Sequence, residues 1–94
     1  MAETTPTPSS RIQWARTTIG LSSRELDRLA GLGEGHTSLI ETGRRKNIST
    51  ETAASIARVL GVSLDWLVLG RGRNPTIKHL VASAAVAREA QVAP

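Results

Sequence analysis

The chain contains no cysteine, no phenylalanine and no tyrosine, and only two tryptophans and two histidines. The absence of cysteine excludes disulfides, thiolate metal sites and cysteine nucleophiles. The two histidines, His36 and His79, stand too far apart in sequence for a zinc site of the usual kinds. So few aromatic residues give poor support to single-stranded nucleic-acid recognition by base stacking. Trp14 and Trp66 read instead as packing residues; Trp14, off the main stripe of its helix, points to the tail helix or to a partner subunit. Long hydrophobic runs are also missing. The longest apolar-and-small stretch, residues 81–87, falls far short of the roughly 20 residues a membrane span needs. The opening MAETTPTPSS has neither a basic nor an apolar signal-peptide region. A soluble cytoplasmic module is therefore expected, with no membrane partner, no cofactor and no small-molecule ligand implied.

What is present is one domain's worth of chain, 94 residues, 39% hydrophobic and 21% charged. Twelve Lys and Arg against eight Asp and Glu give a net charge of +4. That balance suits a polyanion partner, although it is also an ordinary solubility charge. Its distribution is more informative: residues 22–43 sum to −2, residues 44–48 to +3 and residues 71–94 to +3.

Residues 1–9, rich in Thr, Ser and Pro, read as a disordered arm. From Ser10 onward the periodicity predicts one helix after another. Ile12, Ala15 and Ile19 form the stripe of the first helix, which Gly20 ends. Ser22-Ser23-Arg24-Glu25 is a capping box opening a second helix over 22–30, with Leu26, Leu29 and Ala30 facing inward. A third helix is predicted over 34–42, with Thr37 and Ile40 inward and Gly43 as its stop. Ser49 caps a fourth, with Ala53, Ile56, Ala57 and Leu60 inward, and Ser63 caps a short fifth over 64–69. The linker Gly-Arg-Gly-Arg-Asn at 70–74 leads to an Ala-rich, helix-prone segment over 75–91 whose narrow stripe is Ile77, Leu80, Val81 and Ala84. No strand alternation is visible, so the fold class is all-α.

Two helices joined by a short Gly-rich break, 22–30 and 34–42, describe a helix-turn-helix. Its second helix projects and fits a major groove about 12 Å wide. The chain here resembles the lambda and 434 repressor/Cro family, the Xre-type regulators. The resemblance rests on Arg16, Gly20-Leu21-Ser22, Glu25-Leu26, Ala30-Gly31, Ser38, Ile40-Glu41 and Gly43. It continues through Ser49, Glu51-Thr52, Ile56-Ala57-Arg58 and residues 60–67, LGVSLDWL. It implies a five-helix repressor-like bundle over 10–70 and a third helix that reads DNA; the linker and Ala-rich C-terminal helix of 71–94 lie outside the resemblance. It also implies that Arg16 and Glu41 form a structural ion pair, and that Glu34, Gly35 and Leu39, the first, second and sixth residues of the third helix, reach base edges.

Chemistry adds detail to that expectation. Glu34 can accept from a cytosine amine, Leu39 can meet a thymine methyl, and His36 and Ser38 can hydrogen-bond a base. Gly35 permits close approach. For phosphate, Ser23 opens a helix and offers its N–H and hydroxyl. Arg44, Arg45 and Lys46 follow the recognition helix, flanked by Thr42 and Asn47 as neutral donors. The alternative for the basic run is a solvated face that merely ends a helix.

The tail helix either covers the bundle's own apolar face or pairs with a second chain, making Ile77, Leu80, Val81 and Ala84 dimerisation candidates. The expected function is a dimeric, sequence-specific regulator of double-stranded DNA, acting on an inverted repeat. Repression is the simpler outcome, because steric blocking needs no further machinery. The alternative is a protein-interaction module, an antagonist or adaptor on the same fold, which the −2 charge of residues 22–43 favours. No nucleophile with a base at useful spacing and no phosphate-binding Gly loop argues for an enzyme.

Overall fold

The computed structural model describes residues 7–44 and 47–92. Arg45, Lys46 and residues 1–6 of the expected arm lie outside the described residues. Those described form helices α1 (Pro8–Thr18), α2 (Ser23–Ala30), α3 (His36–Glu41) and α4 (Thr50–Leu60), a π-helical turn (Asp65–Leu69) and helix α5 (Ile77–Val92), with no strand among them.

Local chemistry sets most of the helix ends. The first helix begins at Pro8, before the expected Ser10, because Thr7 is its N-cap. The Thr7 hydroxyl accepts from the Ser10 N–H at 3.1 Å. Pro8 then supplies a preset φ where no N–H is needed. Thr7, Pro8 and Ser9 are thus part of the bundle and not of an arm. Ser22 and Ser49 cap α2 and α4 by accepting from the N–H groups of Glu25 (3.0 Å) and Thr52 (3.1 Å). Ser63 does the same for Trp66 at 3.0 Å. The capping box at Ser22 is only half made, since the Glu25 carboxylate turns away to Arg88. Helix α5 starts at Ile77, later than the expected 75, because Thr76 caps it through the His79 N–H at 3.1 Å.

The core is aliphatic. Ile12, Leu21, Leu26, Ile40, Ile56, Leu60 and Leu67 are fully buried, and Trp14 packs half-buried on buried Trp66, ring centroids 6.1 Å apart and tilted by 60°. A buried arginine joins this core. Arg11 donates from Nε to the Leu67 carbonyl at 2.9 Å and from Nη2 to the Val68 carbonyl at 3.0 Å, satisfying the end of the π turn. Burial lowers its pKa from the ordinary value.

Helix α5 docks on its own bundle, against α4 and α2. This divides the four dimerisation candidates. Leu80 and Ala84 are buried in the molecule's own core, whereas Ile77 and Val81 stay exposed. A continuous four-residue seam is therefore not offered to a second chain. The close approach depends on Gly61, whose left-handed φ of +70° ends α4. A Cβ there would run into the Ser83 Oγ and lie 2.6 Å from the Ser83 Cβ. The His79 ring reaches the Gly61 carbonyl beside it, and Trp66 Nε1 ties the linker through Asn74 Oδ1 at 2.9 Å.

Two outcomes are expected. Gly61→Ala should destabilise the fold by at least the ~1–2 kcal/mol of left-handed strain, and should release α5, read as faster amide exchange over residues 77–92. The second concerns pH. The Arg88 guanidinium lowers the Glu25 pKa from its ordinary 4.5. A depressed carboxylate pKa means that the pair's contribution is complete above 4.5 and is lost as pH falls through the lower folded value. For a partly exposed pair this is about 0.2–1 kcal/mol. Glu25→Gln should remove that part of the acid dependence in urea unfolding.

Candidate nucleic-acid interface

Helix α3 is six residues, hence about 9 Å long, and such a helix holds its place only through its surroundings. Its inward face is Thr37 and Ile40, both fully buried. Its last residue, Glu41, pairs with Arg16 in a two-pronged contact: Nε to Oε2 and Nη2 to Oε1, each 2.8 Å. The two side chains are only 15% and 8% exposed. Arg16 Nη1 also donates to the Leu21 carbonyl at 2.9 Å, so one guanidinium joins α1, the entry to α2 and the end of α3. The Glu41 hydrogen bond raises the Arg16 pKa above its ordinary value. The Ser9 hydroxyl donates to the Ile40 carbonyl at 2.8 Å, alongside the Gly43 N–H at 3.1 Å, so α1 helps hold the end of α3.

The start of α3 differs from expectation. The helix begins at His36 and not at Glu34, and Gly35 precedes it at φ +85° with no side-chain cap of its own. The glycines at 33 and 35 bring no capping oxygen. Buried Asp27 of α2 supplies it from a distance: Oδ2 accepts the Gly35 N–H at 2.9 Å and Oδ1 the Thr37 N–H at 2.8 Å. Asp27 was missed in the sequence, where it reads as one more charge of an amphipathic helix. A signal was nonetheless present. A helix start furnished only with glycine needs an acceptor from elsewhere, and Asp27 lies on the Leu26–Ala30 side of α2.

Glu34 and Gly35 therefore belong to the turn and not to the first positions of α3. Glu34 is 76% exposed and paired with Arg24 at 2.9 Å, so its carboxylate already has a donor. Gly35 is half-buried, with its N–H held by Asp27. Ser38 and Leu39 face outward on α3, His36 is half-buried at its start, and exposed Thr42 caps its end. Ser23 is half-exposed at the first position of α2, and Arg44 and Asn47 are exposed beyond α3. Arg45 and Lys46, between them, are outside the described residues.

Among the described residues, no group of His, Cys, Asp or Glu could hold a metal, and no helix is long and apolar enough to cross a membrane. A short helix tied to α2 through Asp27, with Ser38 and Leu39 turned outward, defines a helix-turn-helix protein. Residues 12–67, more than half of the chain, match the model of a helix-turn-helix family. The chain belongs to the lambda/434 repressor and Cro-like, Xre-type helix-turn-helix family, whose domain is that of a DNA-binding transcription regulator. No curated protein and no solved structure matches the chain significantly.

Asp27→Ala would leave two helix-start N–H groups without an acceptor, at a cost of about 1–3 kcal/mol. The expected result is a lower urea midpoint, with selective loss of exchange protection at Gly35 and Thr37. Asp27→Asn, which keeps one acceptor oxygen, should lose less.

Proposed function

We propose that the chain is a repressor that binds a short inverted-repeat operator as a dimer. The outward-facing Ser38 and Leu39 of α3, with exposed Arg44 just beyond it and half-exposed Ser23 opening α2, support this most directly. Ser38, Leu39 and His36 read bases in the major groove, with Glu34 and Gly35 at its rim. Phosphates are held by the Ser23 N–H and hydroxyl, by Arg44, Arg45 and Lys46, and by Thr42 and Asn47. The dimer brings two copies of α3 about 34 Å apart, one turn of duplex. Of the four tail-helix candidates, Ile77 and Val81 are the two left exposed to take part in it.

The distribution of carboxylates favours DNA over an acidic protein-binding face. All four acidic residues of the −2 segment have internal partners: Glu25 with Arg88, Asp27 with two backbone N–H groups, Glu34 with Arg24 and Glu41 with Arg16. Little uncompensated negative charge remains on that segment to draw a basic partner or to repel phosphate.

Replacing Arg44, Arg45 and Lys46 together with Ala should weaken binding to every duplex alike. It should also flatten the log–log salt slope by about 0.9 for each phosphate no longer neutralised. Selection from a random duplex pool should return a twofold-symmetric motif. No enrichment, with a stable complex to another protein instead, would favour the adaptor reading. Glu34→Ala should change the selected motif more than non-specific affinity; an identical motif would remove Glu34 from base reading.

A further inference from the structure

Helix α5 lies beyond the family-matched residues 12–67, yet it reaches the helix-turn-helix at one charged point. Arg88 Nε donates to Glu25 Oε2 at 2.6 Å, and Nη2 donates to Oε1 at 3.1 Å. Both carboxylate oxygens are thereby engaged by one planar guanidinium, the geometry that favours Arg over Lys. Glu25 stands in the first turn of α2, two residues after Ser23. A carboxylate there interacts with the positive end of the helix, the same end that would attract a phosphate, and such effects are confined to the first turn. Unpaired, Glu25 would compete with and repel that phosphate.

We infer that Arg88 is a positioning residue that tunes DNA affinity from within the same chain: docked α5 neutralises Glu25 and leaves the N-terminus of α2 open to the DNA backbone. This rests on the phosphate contact proposed for the start of α2. It gives the tail helix a role in DNA binding that does not require it to join two subunits. Arg88 acts through Glu25 and not on DNA, although its side chain is 46% exposed against 24% for Glu25. The rest of the docked face holds α5 in place: Leu80 and Ala84 in the core, and Ser83 against Gly61.

The experiment measures affinity for a pool of short random-sequence duplexes at low salt, using the full chain. Unfolding midpoints and exchange protection of α5 are recorded for every variant. Arg88→Ala should weaken binding about two- to five-fold, and the gap should close as added salt screens the exposed charge. Glu25→Gln should bind at least as tightly as the unaltered protein. The double variant, Arg88→Ala with Glu25→Gln, should recover the unaltered affinity even though the bidentate contact is gone. Recovery cannot come from restored docking, so it separates charge neutralisation from a purely structural role. A double variant as weak as Arg88→Ala alone would overturn the inference, pointing to direct phosphate contact or to loss of the tail. So would an Arg88→Ala protein that binds like the unaltered one. An unaltered protein that leaves the duplex unbound at low salt would sink the DNA-binding proposal itself, a result distinct from either.

Discussion

The carboxylate of Asp27 is the contact on which helix α3 depends. A six-residue helix has too few internal hydrogen bonds to stand alone, since nucleation costs more than two turns return. Its N-terminal amides need acceptors, and the glycines at 33 and 35 cannot supply them. By accepting from both Gly35 and Thr37, Asp27 fixes where α3 begins and joins it to α2. The Arg16–Glu41 pair secures the other end from α1. Between these two anchors lie the buried Thr37 and Ile40, and the outward direction of Ser38 and Leu39 follows from helical geometry.

Such anchoring changes how the charges are understood. Summed along the chain, the helix-turn-helix segment is acidic. In three dimensions its carboxylates point at partners: one at backbone amides, one at a mostly buried arginine of α1, one at an arginine of its own helix pair and one at an arginine of the tail. The pairs differ in strength. Arg16–Glu41 is largely shielded from water, and losing one partner would strand a charge. Arg24–Glu34 is open to solvent and contributes little to stability, so either side chain can exchange its partner for a ligand at small cost.

The tail helix follows the same logic. Its stripe is too narrow to stand alone, and it is completed by a glycine that admits Ser83, a leucine and an alanine that enter the common core, and a bidentate arginine at the far end. Packing on the bundle divides the stripe, with Leu80 and Ala84 inside and Ile77 and Val81 outside.

By itself the sequence determined the helices and their order, because apolar spacing, serine caps and left-handed glycines act over a few residues. It also contained the family likeness that residues 12–67 carry. Ends set by local chemistry are legible in the same way, including the Thr7–Pro8 start that a Ser- and Pro-rich composition obscures. Tertiary structure alone decided the start of α3, the partners of Glu25 and Glu34, and the side of α5 that is buried. Each of these turns on a contact between residues well apart along the chain: Asp27 with Thr37, Arg24 with Glu34, Arg88 with Glu25 and Ser83 with Gly61. Periodicity records that a face is apolar or that a residue is charged. Which surface meets that face, and which ion meets that charge, is settled only when the helices pack.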